Sequence, residues 1–422
     1  MQDKATLITK SELQEALKLR GVFGKLVASA AMQAIGLNKA NEYYQQCAGG
    51  NTFDFSARAM KVMDIKYDLK PEQLDNVPRE GGFVMLANHH FGGVDGMMTF
   101  DVIGHIRPDL HSVSTFLLGK VPEIKPAMFS VNPFTNGVGG GQGSVGGMRQ
   151  ALAHVRNGGC IQLFPAGEVA TWQSAANRTA LEKGIVEDCP WPISIVKFIR
   201  MCKCPVLPVY FEGTNSKHFH RVGKIHPMLR TLNLVKETVK KAGSTIPMRI
   251  GKPISVAEMD EYESLEDLYG FLRNRIYAMQ AEFEPKRSGH PCDLKQDDSS
   301  DKQLVTIRFC EACPQAIQSL IVWFFTQHYS VPAASGITVP RSYFVPYFRN
   351  VRPDQLLTHT DTVEKFDHLL REITDGAYSL PPQVMELFSN GAKVVCFNAD
   401  KASAPALDAL VLLPQKEDSP AE

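Results

Sequence analysis

Short apolar runs bounded by turn residues recur through the middle of the chain. Phe83 to Ala87, Cys160 to Phe164, Val206 to Phe211 and Met248 to Gly251 are too short to be helices and read as strands. Helical patterns intervene at about Met148 to Arg156 and Ile193 to Met201. This alternation predicts an α/β fold with a central mixed β-sheet flanked by helices and several parallel strand pairs, which puts most loops at strand ends. Upstream, Ser11 with Gln14 forms a capping-box pattern opening an amphipathic stretch that carries Leu13, Leu17, Leu19, Val22, Phe23, Leu26, Val27 and Ala30, with a break expected at Gly21 or Gly24. Such a helix either packs on its own core or lies among lipid headgroups, and the pattern allows both.

A polar break at Lys286 to Pro291 and the stretch Gln296 to Asp301 mark a linker. The expected organisation is an amphipathic helical segment at 1–50, a catalytic-type domain at 51–285, a linker at 286–302, a small accessory domain at 303–414 and a polar tail at 415–422. The run Leu320 to Phe325 stops at Thr326-Gln327-His328, short of the ~20 residues that cross a bilayer. Any membrane association is therefore expected to be peripheral, and the first residues lack the apolar core of a secretory signal.

Composition narrows the class. With 44% hydrophobic and 21% charged residues the chain is neither disordered nor a multi-span membrane protein. Lysine plus arginine balance aspartate plus glutamate at 45 each, which removes any global case for nucleic acid. Nine cysteines, an odd number in 422 residues, do not form a small-domain disulfide framework and are expected to be reduced. Cys202-Lys203-Cys204 and the pair Cys310 and Cys313 lack a partner pair at zinc-finger spacing, so no metal is expected.

The segment Asn88-His89-His90-Phe91-Gly92-Gly93-Val94-Asp95-Gly96 carries the strongest chemistry, a strand running into a glycine-rich turn with imidazoles and a carboxylate. Histidine has the near-neutral basicity that base catalysis needs, and a nearby carboxylate fixes its tautomer. Gly92 and Gly93 allow close backbone approach, which makes their amides oxyanion candidates. A second strand, Cys160 to Leu163, ends in Phe164-Pro165-Ala166-Gly167-Glu168.

Together these blocks, with Asp188-Cys189-Pro190-Trp191 and Val206-Leu207-Pro208-Val209-Tyr210-Phe211-Glu212-Gly213, resemble the PlsC-type lysophospholipid and glycerolipid acyltransferases, in particular their hemolysin-like, ornithine-lipid O-acyltransferase subgroup. The likeness runs from about Leu13 to about Met279. It implies O-acyl transfer from acyl carrier protein or coenzyme A thioester to the hydroxyl of a lysolipid at the cytoplasmic membrane surface, with no cofactor beyond the acyl carrier. It implies a catalytic His/Asp pair in the first block, acceptor binding by Phe164, Pro165, Gly167 and Glu168, and an acyl-side position for Pro208. His90 and Asp95 satisfy the general four-residue spacing, whereas the subgroup string aligns with His89, so His89 is favoured as base and His90 stays a candidate. The block Phe129 to Phe134 lacks the arginine that glycerophosphate-using members pair with the acceptor phosphate, which favours a lyso-aminolipid or larger lysolipid.

Other features compete. Gly139 to Gly146 contains a Gly-x-Gly-x-x-Gly string, but no clean strand precedes it, and a loop over the site is the simpler reading. Lys217 to Lys241 carries seven lysines and arginines against one acid, Glu237, a segment suited to an acidic carrier, coenzyme A phosphates or anionic headgroups. Leu380 to Val395 with Leu407 to Val411 faintly resembles the closing segment of aminolipid N-acyltransferases and suggests an accessory role. An esterase or thioesterase using the same pair, and a non-catalytic lipid-binding protein, are the alternatives to transfer.

Overall fold

The computed structural model describes residues 6–16, 21–115, 118–131, 142–172, 186–225, 227–283, 304–310, 313–331, 348, 350–397 and 407–414. The chain divides into two compact units, Met1–Leu265 and Glu266–Glu422, a division that falls ahead of the linker expected at 286–302. That linker and residues 139–141 of the glycine loop lie outside the described residues, while residues 142–146, expected as loop, open a helix.

The first unit opens with α1 (Lys10–Ala16) and α2 (Gly21–Ala34). Thr9, not Ser11, caps α1: its hydroxyl accepts the Glu12 amide at 3.2 Å while the Glu12 carboxylate accepts the Thr9 amide at 2.7 Å. The expected Ser11 and Gln14 pair fails because the helix starts at Lys10, which leaves Ser11 inside its first turn. Leu13 and Met32 are buried with Leu37, so this face of the segment packs on protein. The side chains of Leu17, Leu19, Val22, Phe23 and Leu26 lie outside the described residues.

After α3 (Leu37–Cys47) and α4 (Thr52–Val62) come β1 (Lys66–Asp68) and β2 (Phe83–Ala87). Then follow α5 (Gly93–Val102), β3 (Leu110–Thr115), β4 (Met128–Val131), α6 (Gln142–Arg156) and β5 (Cys160–Leu163). A two-stranded ribbon, β6 (Thr171–Trp172) and β7 (Val186–Glu187), precedes α7 (Ile193–Cys202) and β8 (Val206–Phe211). The unit closes through α8 (Lys217–Ile225), α9 (Pro227–Lys240), β9 (Thr245–Ile250) and α10 (Val256–Asp260).

Seven strands form one mixed sheet in the order β1-β9-β8-β2-β5-β3-β4. β2 pairs in parallel with β5 and β8, and β3 with β5 and β4, while β9 runs antiparallel to β8. Every residue of β2 is fully buried. Its unbroken apolar run, without polar alternation, is what a parallel strand covered on both faces requires. Phe83, Met85 and Ala87 join Leu207, Val209 and Phe211 in one core cluster. The carboxyl ends of β5, β2 and β8 consequently stand side by side, where open α/β sheets place their ligands.

The second unit contains α11 (Leu265–Ala278), β10 (Leu304–Cys310), α12 (Gln315–His328), α13 (Pro353–Leu356), α14 (Val363–Ile373), α15 (Pro382–Ser389), β11 (Lys393–Phe397) and β12 (Leu407–Leu412). β12 lies between β10 and β11, antiparallel to both. The apolar run 320–325 belongs to α12 and is core: Phe324 stacks on Phe366 with ring centroids 4.1 Å apart, and Phe325 meets Phe309 and Phe388 edge to face. Cys310 and Cys313 lie close together, with Cα atoms 6.2 Å apart.

Candidate active site

β2 ends at Ala87 and releases Asn88, which continues the ladder with its side chain. Its Oδ1 accepts the Phe211 amide at 2.8 Å and its Nδ2 donates to the Phe211 carbonyl at 2.9 Å, so the amide group acts as one more peptide unit between β2 and β8. The turn that follows needs glycine at 92, where φ is 83°. A β-carbon there would also lie 3.2 Å from Leu234 Cδ2.

Asp95, in the first turn of α5 and fully buried, reaches back over this turn. One of its oxygens, Oδ2, accepts three bonds: His89 Nδ1 at 2.9 Å, the Phe91 amide at 2.9 Å and the Gly92 amide at 3.1 Å. The carboxylate therefore holds the imidazole in the tautomer with Nδ1 protonated and Nε2 free to accept a proton. Nε2 makes no hydrogen bond among the described residues, and the side chain keeps 17% of its surface exposed.

His90 has a different environment. It is 4% exposed, edge-on to Tyr210 and Phe91, and burial makes it less basic than an ordinary imidazole. Asp95 takes the ring of His89, although the four-residue spacing in sequence belongs to His90. The backbone explains this: the turn at Phe91 and Gly92 points its amides at the carboxylate and leaves the His90 ring in the interior.

The Gly92 amide, one of the two expected oxyanion donors, is already committed to Asp95 and is withdrawn from that list. Gly93 begins α5, and first-turn amides have no partner within their helix.

The second block surrounds His89. The Phe164 ring stacks on the imidazole at a centroid distance of 4.3 Å. Pro165 is buried, Gly167 turns the chain at φ 69° with its amide on the Phe164 carbonyl, and Glu168 is exposed. The Ala170 amide then donates to the His89 carbonyl at 2.7 Å. Pro208 is buried within β8 opposite Leu86, inside the sheet and not at its carboxyl edge.

Two contributors were not assigned roles by the sequence reading. Asp188, buried, accepts the His89 amide on Oδ1 at 3.0 Å; its block was quoted in the resemblance without a function. Lys241 was counted only within the basic segment. Its Nζ lies 4.2 Å from the Phe91 ring centroid and donates to the Thr214 carbonyl at 2.9 Å, and burial lowers its basicity. The single acid of that segment, Glu237, is buried under Ser216 and Lys240. An open cleft of about 740 Å³ lies at the opposite, amino ends of β2, β5 and β8, beside Gly82, Gly158 and Pro205, and holds none of these residues.

A model of the family described as Acyltransferase matches residues 52–285, more than half of the chain. The chain belongs to the acyltransferase family. The resemblance read from the sequence blocks holds at that level. Over 262 residues this acyltransferase is 22% identical to the lyso-glycine lipid O-acyltransferase of Bacteroides thetaiotaomicron, covering 60% of this chain and 90% of that one. It is 23% identical over 262 residues to the protein of the same name from Phocaeicola vulgatus, covering 60% and 88%. Among solved structures it is similar to the 1-acyl-sn-glycerophosphate (LPA) acyltransferase PlsC of Thermotoga maritima, with 14% identity, a TM-score of 0.36, and coverage of 61% of this chain and 88% of that one. No described helix is long and apolar enough to cross a membrane.

Proposed function

We propose that this acyltransferase moves a fatty acyl group from an acyl carrier protein or coenzyme A thioester to the hydroxyl of a lysolipid, with His89 as general base. The observation that carries the reading is the 2.9 Å bond between His89 Nδ1 and the buried Asp95, which leaves Nε2 as the proton acceptor. Nε2 removes the acceptor hydroxyl proton as the oxygen attacks the thioester carbonyl. The tetrahedral intermediate then collapses, the carbon–sulfur bond breaks, and the proton passes from the imidazolium to the departing thiolate. Asp95 stabilises the imidazolium between these steps, and the Gly93 amide faces the developing oxyanion. The names of the two lyso-glycine lipid relatives and the absence of an arginine in the 129–134 block favour a lyso-aminolipid acceptor. The enzyme would work at the cytoplasmic membrane surface, with the basic α8 and α9 segment toward anionic headgroups or an acidic carrier.

The test is transfer of labelled acyl groups, from carrier protein and from coenzyme A in parallel, to lyso-glycine lipid and to lysophosphatidic acid. His89→Ala and Asp95→Asn are expected to lower kcat by about 10²- to 10⁴-fold. Full transfer by both variants, or release of free fatty acid whether or not acceptor is present, overturns the proposal.

A further inference from the structure

We infer that Asp188 is a second positioning carboxylate of the site, holding the backbone of His89 as Asp95 holds its ring. The inference rests on the reading of His89 as the base. It starts from the ribbon of β6 and β7, in which Thr171 pairs with Glu187 and Trp172 with Val186. Extending that register by one residue brings Ala170 opposite Asp188. These two positions grip one residue: the Ala170 amide donates to the His89 carbonyl at 2.7 Å, and the His89 amide donates to Asp188 Oδ1 at 3.0 Å. Both peptide groups flanking the imidazole are thus tied to the ribbon, while Phe164, where the same excursion leaves β5, covers one ring face.

Asp188 is itself fixed. It is 1% exposed, and its second oxygen accepts Trp191 Nε1 at 3.3 Å. A buried carboxylate needs donors for its oxygens, and a backbone amide and an indole are two of them. The arrangement determines the outcome of an isosteric change. In Asp188→Asn a single oxygen remains for two donors, and turning it to the indole N–H sets the new NH2 against the His89 amide, donor against donor. Removing the indole donor with Trp191→Phe relieves that conflict and lets the amide oxygen return to His89.

The experiment compares purified wild type, Asp188→Asn, Trp191→Phe, Asp188→Asn with Trp191→Phe, His89→Ala, and His89→Ala with Asp188→Asn in steady-state transfer. Misplacing a reacting group by about 1 Å costs on the order of 10²-fold. Asp188→Asn is accordingly expected to lower kcat by about 10- to 100-fold, with both KM values within about twofold of wild type. Adding Trp191→Phe is expected to recover about tenfold of that loss. In the His89→Ala background Asp188→Asn is expected to cost nothing further, since the ring it positions is gone. Wild-type kcat for Asp188→Asn, a loss confined to KM, or an additive loss in the His89→Ala background overturns the inference. Wild-type kcat in His89→Ala itself overturns the base assignment instead, a result distinguishable from a silent Asp188.

Discussion

Asn88 and Phe211 exchange two hydrogen bonds across the carboxyl ends of β2 and β8, at 2.8 and 2.9 Å, though 123 residues separate them. An asparagine in this role is a structural joint that holds the start of the turn carrying His89 against the next strand. Asn88→Ala leaves the buried Phe211 amide and carbonyl without partners, a cost of about 2–4 kcal/mol for the two groups. Urea unfolding should show this as a lower midpoint with unchanged slope. A midpoint within experimental error of wild type would mean that water replaces the side chain.

His90 makes stability depend on pH in a stated direction. Burial lowers its pKa below the ordinary 6.5, so between the two values the unfolded chain binds a proton that the folded chain does not. Stability then rises with pH: this contribution is complete above about pH 6.5 and is lost as pH falls toward the folded value. His111, whose pKa burial also lowers, acts in the same direction. Unfolding free energies measured from about pH 7.5 down to about pH 5.5 should decline, and decline less in His90→Gln. Equal slopes in variant and wild type would remove His90 from the account.

Gly92→Ala tests the turn. The φ of 83° and the contact with Leu234 both oppose a side chain, and strain at such positions is about 1–3 kcal/mol. Because the Gly92 amide is one of the three donors to Asp95, the change should lower kcat as well as the melting temperature. Unaltered kcat would show that Asp95 keeps its place without that amide.

Phe164 separates two roles by kinetics. If the ring mainly braces the imidazole it stacks on, Phe164→Leu lowers kcat by about 2- to 10-fold, the loss of a ring contact of ~0.5–1.5 kcal/mol, and leaves the acceptor KM unchanged. A raised acceptor KM at unchanged kcat would return Phe164 to the acceptor-binding role that its block implies.

The strands were legible where burial made them continuous: Phe83 to Ala87 and Val206 to Phe211 are strands at those bounds, because residues covered on both faces leave no polar alternation to misread. The amino-terminal cap was misplaced because Thr9 with Glu12 and Ser11 with Gln14 satisfy the same local rule, and only the helix start decides between them. At the candidate site, residue types singled out the segment 88–96, but which imidazole meets Asp95 depends on how the turn at Phe91 and Gly92 aims its amides, a tertiary matter. Asp188 was present in a quoted block, yet its partner lies 99 residues away, a distance no spacing rule spans.

His89 and Asp95 leave the ribosome within moments of one another, but the carboxylate that holds the His89 peptide and the strand that anchors Asn88 are made much later, at residues 188 and 211. A nascent or truncated chain ending before them carries the His89 and Asp95 pair without the frame that aligns it. Under the proposed mechanism such a chain should show no acyl transfer, so that turnover would report completed folding of the first unit.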